Sequence, residues 1–124
     1  RIGNLLAFEN LDNRNSSFKS IADMQAVFQK VPKAKFVFDV NHLYTHNPSM
    51  NLVKDYHQAF GNRLCHYHFS GYGGFHNCIS QTNENVIFKG LMNLSKPIIN
   101  EGASPKMKDI IKQEHQYIIN YLNS

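Results

Sequence analysis

Short apolar runs and longer helical patterns alternate four times along the chain. The runs that read as buried strands span about 4–9, 35–40, 63–69 and 97–101. Apolar residues at helical spacing predict helices over about 18–30, 49–60, 84–94 and 105–122. Alternation of this kind indicates parallel strands joined by right-handed crossovers. We therefore expect an α/β fold of four consecutive βα units in a single domain, residues 1–124.

Local signals mark several helix ends. Ser16 or Ser17 can cap the first helix, and Pro32 stops it. Gly61 can serve as the C-terminal cap of the second helix. We find no linker or low-complexity segment, and 124 residues fit one domain with a modest core.

Composition narrows the class of protein. The net charge of +4, without a dense Lys/Arg run, would suit an anionic substrate, but nucleic acid is not the expected partner. Cys65 and Cys78 form no C-x-x-C pair, so we expect neither a disulfide framework nor a thiolate zinc site, and a reducing cytoplasm is the expected location. No apolar run approaches the roughly 18 residues that span a bilayer, so we expect no membrane association.

Each predicted strand ends in a side chain that can bind a metal or transfer a proton. These residues, about 30 positions apart, are Glu9, Asp39, His68 and Glu101. Parallel strands present their carboxyl ends on one side, so the four groups should converge. Three carboxylates alone in one cleft would raise each other's pKa, and a divalent cation removes that conflict. The oxygen and nitrogen ligands suit Mn²⁺, Zn²⁺ or Mg²⁺.

The motifs LLAFEN, FVFDVNH, CHYHFSG and PIINE, in this order and at these intervals, resemble the last four strands of the xylose-isomerase-like TIM barrels. That superfamily includes sugar isomerases and epimerases and the endonuclease-four-type repair enzymes. The resemblance covers nearly the whole chain and implies the C-terminal half of a (βα)₈ barrel, since a complete one has eight units and about 250 residues. The other half would be a missing N-terminal half-barrel or a second copy. Because a strand-like run follows Arg1 so closely, we expect the chain to be part of a longer or trimmed protein.

The resemblance implies roles for individual residues. It places Glu9, Asp39, His68 and Glu101 on the metal ligands of the family. In the epimerases of the family the two glutamates, here Glu9 and Glu101, also act as the acid/base pair on the two faces of the substrate carbon. His42 matches a histidine that contacts substrate in epimerases and binds a second metal in the nucleases.

Two more histidines are candidates for substrate binding. His76 falls near a further histidine that the nucleases use. His66 lies on the same side of its strand as His68 because side chains alternate with period two, and it could instead be a supporting or core residue.

The chain also departs from the family. Gly74 stands where the nucleases have an acidic residue two positions before the later histidine, which disfavours a three-metal site. FSGYGG replaces the acidic/Arg cluster that epimerases often carry after the strand histidine, so that substrate clamp is absent or comes from elsewhere. Gly71, Gly73 and Gly74 could bring backbone N–H groups to a phosphate, or they form a flexible turn or lid.

The predicted function is that of a divalent-metal-dependent isomerase or epimerase acting on a sugar or related hydroxy-ketone. The cation would act as a Lewis acid, and Glu9 and Glu101 would take and return the proton. One alternative is an endonuclease-four-type phosphodiesterase. Another is a non-catalytic half-barrel fragment that needs a partner half, because open sheet edges favour association.

Overall fold

The computed structural model describes residues 6–73, 76–102 and 108–124. Its strands form one sheet and are β1 (Ala7–Glu9), β2 (Lys35–Asp39), β3 (Leu64–Phe69) and β4 (Ile98–Asn100). The order in the sheet follows the order in the chain, and each neighbouring pair is parallel. The predicted α/β fold with four consecutive βα units is confirmed. Residues 4–5 of the predicted first strand lie outside the described residues.

The helices of the described residues follow the strands in turn. They are α1 (Ile21–Lys30), α2 (Val40–His46), α3 (Val53–Phe60), α4 (Ile79–Thr82), a 3-10 helix (Asn85–Gly90) and α5 (Lys108–Asn123). The first helix begins later than predicted because Ser20, not Ser16 or Ser17, caps it. Ser20 Oγ accepts the backbone N–H of Asp23, and the Asp23 carboxylate accepts that of Ser20. Gly61 is the C-terminal cap of α3, as predicted.

Two helical segments differ from the sequence prediction. Helix α2 was not predicted, and it follows β2 directly because Asp39 Oδ1 accepts the N–H of His42 at 2.8 Å and caps it. The prediction of a single helix over 84–94 was wrong, because that region forms the shorter 3-10 helix. Gly90 ends this helix against Val40, where a Cβ atom on residue 90 would overlap the valine side chain.

One hydrophobic core lies between the sheet and the helices. The sheet contributes five buried side chains: Phe36, Phe38, Leu64, Tyr67 and Phe69. The helices cover them with a larger set: Met24, Phe28, Val40, Leu43, Val53, Tyr56, Phe60, Ile79, Ile87 and Ile118. Each such side chain contributes about 1.5–3 kcal/mol when fully buried. Because these helices share one cluster, they cover one face of the sheet, and the opposite face carries the polar residues of the site.

The last helix is anchored by a buried carboxylate. Glu114 of α5 is 0% exposed, and its oxygens accept the N–H groups of Ile79 at 2.7 Å and Ser80 at 3.0 Å. These are N–H groups at the start of α4 that have no acceptor within their own helix. In the parts of the chain that the structure describes, no helix is long and apolar enough to cross a membrane.

Candidate metal centre

The carboxyl ends of the four strands bring Glu9, Asp39, His68 and Glu101 together. Glu9 and Asp39 are the last residues of β1 and β2, His68 is the penultimate residue of β3, and Glu101 follows β4. His68 Nδ1 lies 3.5 Å from Glu9 Oε1, 3.9 Å from Asp39 Oδ2 and 3.3 Å from Glu101 Oε1. The expected convergence is therefore observed, while the roles of these residues stay predictions.

Two buried polar atoms in this group form no hydrogen bond. They are Asp39 Oδ2 and His68 Nδ1, and the Asp39 side chain is 0% exposed. An unpaired buried carboxylate oxygen is unfavourable and rare in folded proteins. Asp39, His68 and Glu101 each offer a ligand atom, and these atoms lie within 4.8 Å of one another. A divalent cation would satisfy both unpaired atoms, so the residues present fit a metal.

His42 belongs to a second group, with Glu9 and Asp39. Its Nδ1 lies 2.8 Å from the backbone oxygen of Asn10, 3.1 Å from Glu9 Oε1 and 3.4 Å from Asp39 Oδ2. A backbone carbonyl only accepts hydrogen bonds, so the shortest contact places a proton on Nδ1. In this arrangement Nδ1 faces Glu9, and Nε2 of His42 is the nitrogen left to contact a substrate.

The charges of Glu9, Asp39 and His42 depend on one another. Burial raises the pKa of Asp39 well above its usual value, despite the opposing charge of His42. Burial also acts to raise the pKa of Glu9, but the hydrogen bond and charge of the neighbouring His42 outweigh it and lower this pKa to about 2. Burial acts to lower the pKa of His42, but Glu9 and Asp39 raise it to about 9.

Asn10, which the sequence reading did not single out, joins β1 to β2 at the site. Its Nδ2 donates to the Asp39 backbone oxygen and its Oδ1 accepts the Asp39 N–H, both at 2.9 Å. Asn10 is 0% exposed. Asn41 makes a related link, since its Nδ2 donates to the Gly71 oxygen at 2.9 Å. The available signal was an asparagine one position after Glu9 and two positions after Asp39.

His76 lies beside Glu101. Its Nδ1 is 3.0 Å from Ser70 Oγ and 3.7 Å from Glu101 Oε2, and its ring centroid is 5.7 Å from that of His42. The structure therefore brings both His42 and His76 to the site. Gly74, on which the expected absence of a three-metal site depended, lies outside the described residues.

His66 shares a face of β3 with His68, as predicted, and their Nε2 atoms are 3.3 Å apart. Burial lowers the pKa of His66. His66 therefore contacts a predicted metal ligand on the side away from the carboxylates.

The glycine-rich loop after β3 already has an anionic partner. The backbone N–H groups of Tyr72 and Gly73 donate to Glu84 at 2.6 and 3.4 Å. A phosphate at these two positions would have to displace the Glu84 carboxylate. The loop geometry therefore favours a structural turn over phosphate recognition at these two N–H groups.

No protein-family model, curated protein or solved structure matches the chain. The resemblance to the xylose-isomerase-like barrels thus depends on the four sequence motifs and stays a prediction.

Proposed function

We propose that the chain carries the metal centre of a divalent-metal-dependent isomerase or epimerase of the xylose-isomerase-like type, acting on a sugar or related hydroxy-ketone. One observation carries this proposal. Glu9 and Glu101 both lie within 3.5 Å of His68 Nδ1, beside the unpaired Oδ2 of buried Asp39. The side chains of Glu9 and Glu101 are 30% and 33% exposed, so a substrate can reach both.

The residues of the site have two proposed roles, binding a cation and transferring a proton. Glu9, Asp39, His68 and Glu101 would hold Mn²⁺, Zn²⁺ or Mg²⁺, which would stabilise negative charge on substrate oxygens as a Lewis acid. Of the two accessible carboxylates, one takes the proton from the substrate carbon and the other returns it. The His42 N–H, 3.1 Å from Glu9 Oε1, orients Glu9 and favours its charged form.

We also propose that four further βα units complete a barrel, supplied by an N-terminal half-barrel or by a second copy. In the described sheet, β1 and β4 are the outer strands. Leu6 is 39% exposed and Ile99 of β4 is 46% exposed. Open strand edges and exposed apolar residues favour association. In sedimentation velocity, a dimer would support self-completion, and a monomer would support a separate partner half.

The proposed location is the reducing cytoplasm. Both cysteines are free, Cys78 buried and Cys65 partly buried. A chain that needs no disulfide suits a compartment where thiols stay reduced. Fractionation of the expressing cells would test the location directly.

The principal test combines metal analysis with a screen of ketoses. Glu101→Gln removes a charged carboxylate without changing its size, and we expect turnover to fall about 10²–10⁴-fold with an unchanged circular dichroism spectrum. Asp55→Asn makes the matching change at an exposed position of α3 and should keep full activity. A fully active Glu101→Gln chain would contradict the assignment. Metal affinity, measured on the same variants, tests the ligand role separately.

A second candidate is an endonuclease-four-type phosphodiesterase. The observation that favours it is the pairing of His42 with His76, whose ring centroids are 5.7 Å apart, because the resemblance connects both residues with the nuclease metals. Salt-sensitive binding and cleavage of DNA would support it. Turnover of a ketose without DNA binding would support the isomerase instead.

A further inference from the structure

Strand β3 contains an irregularity beside the site. The pairing of β2 with β3 shifts register between Phe36 and Val37, which leaves Cys65 as an extra residue of β3. Side chains of successive residues in a regular strand point to opposite faces, but a bulge re-aims them. Here Cys65 Sγ lies 3.3 Å from Nδ1 of its neighbour His66. The bulge thus brings a thiol next to an imidazole that borders the metal centre.

A continuous series of contacts leads from Cys65 to His68. Cys65 Sγ donates to the Phe36 backbone oxygen at 3.2 Å, and His66 Nε2 lies 3.3 Å from His68 Nε2. Because a carbonyl oxygen only accepts, the thiol proton points to Phe36 and the sulfur is left to accept the Nδ1–H of His66. His66 Nε2 then carries a lone pair, which accepts the Nε2–H of His68.

We propose that His66 and Cys65 are positioning residues that set the tautomer of His68. A neutral imidazole with its proton on Nε2 has its lone pair on Nδ1. In His68, Nδ1 is the atom that lies 3.3–3.9 Å from three carboxylates and forms no hydrogen bond. This series of hydrogen bonds from Cys65 through His66 to His68, which we call the relay, therefore leaves the Nδ1 lone pair of His68 free to bind a cation.

The relay corresponds to the second hydrogen bond that metal-bound histidines usually make, but the group that accepts it is unusual. Metal-bound histidines commonly donate their second N–H to a carboxylate, a backbone carbonyl or water, which fixes the ring. Here the carbonyl of Phe36 is reached through an intervening histidine and thiol. This inference depends on the proposed metal centre, and it adds two residues for which the resemblance implied no such role.

Zinc affinity of the whole chain, measured by competition with a chromophoric chelator, tests the relay. His66→Leu keeps bulk but removes the acceptor, and we expect the Kd for Zn²⁺ to rise about 10–100-fold. His66→Gln keeps an acceptor near the position of Nε2 and should restore most of the affinity. Cys65→Ala should weaken binding about threefold to tenfold, the effect of one lost hydrogen bond, whereas Cys65→Ser retains an acceptor and should stay close to wild type.

Nitrogen-15 NMR of the histidine rings in the zinc-loaded chain gives a readout that a general packing effect would not change. We expect the proton on Nδ1 of His66 and on Nε2 of His68. A proton on Nε2 of His66, or wild-type zinc affinity in His66→Leu, would overturn the relay. If the expected tautomers are found without turnover of any ketose, the relay stands and the isomerase proposal fails. If Glu101→Gln loses zinc while His66→Leu does not, the relay fails and the metal centre stands.

Discussion

Asn10 offers the most direct test of how the site is held together. Asn10→Ala removes both 2.9 Å hydrogen bonds to the Asp39 backbone and leaves a donor and an acceptor unpaired. Asn10 is 0% exposed, so water does not replace these bonds without rearrangement. Each buried unpaired group costs about 1–3 kcal/mol, so the free energy of unfolding should fall by about 2–5 kcal/mol. That is a large share of the roughly 5–15 kcal/mol typical of a domain.

Urea unfolding, followed by far-ultraviolet circular dichroism, measures this change. With a slope of roughly 1–2 kcal/mol per molar urea, the midpoint should fall by about 2 M. Asn13→Ala is the matched control, because Asn13 is exposed and its Nδ2 makes only a 3.3 Å contact with the Thr45 oxygen. The control should stay within about 0.5 kcal/mol of wild type. If Asn10→Ala behaved like this control, the Asp39 backbone would have other partners and the reasoning would be wrong.

Three further changes test other parts of the molecule. Glu114→Ala leaves the buried N–H of Ile79 and the partly buried N–H of Ser80 unpaired and should lower the free energy of unfolding by about 2–4 kcal/mol; thermal unfolding within about 0.5 kcal/mol of wild type would contradict this. Because the pKa of His42 is raised from 6.5 to about 9, the protonated ring stabilises the metal-free fold by about 3 kcal/mol. This contribution is complete below pH 6.5 and is lost as the pH rises through 9. Urea midpoints across that range should therefore fall for wild type and stay flat for His42→Gln, and a flat wild-type profile would argue against the Glu9–His42 pair. Zn²⁺ at about 100 times its Kd should stabilise the chain by about 2.7 kcal/mol. EDTA and His68→Gln should remove this effect, whereas His115→Gln, at an exposed position of α5, should not. Equal zinc responses in both variants would exclude His68 as a ligand.

The positions of the strand-ending groups were predictable because they depend on a simple regularity. Parallel strands joined by helical crossovers end on the same side of a sheet. Glu9, Asp39 and His68 therefore converge whatever the details of the helices between them. The existence of the strands followed equally from their apolar runs, since each must bury one face against the helices.

Other parts of the site were not readable from the chain alone. The structure gives Asp39 two kinds of contact, since Oδ1 caps α2 while Oδ2 lies 3.9 Å from His68 Nδ1. Helix α2 was missed because its start depends on that cap rather than on a strong apolar periodicity. The bulge at Cys65 was missed because register is a property of two paired strands and not of one.

The chain by itself determined the alternation of strands and helices, the parallel sheet and the side chains that stand at its carboxyl edge, because apolar periodicity and strand polarity are local properties. Only the tertiary structure decided which atoms meet there: the proton on His42 Nδ1, the unpaired Oδ2 of Asp39 and the path from Cys65 to His68. His42 Nδ1 lies 2.8 Å from the oxygen of Asn10, 32 positions away, and the contacts from Cys65 to His68 depend on the register between β2 and β3. Such distances arise from packing and register, which no single segment of the chain specifies.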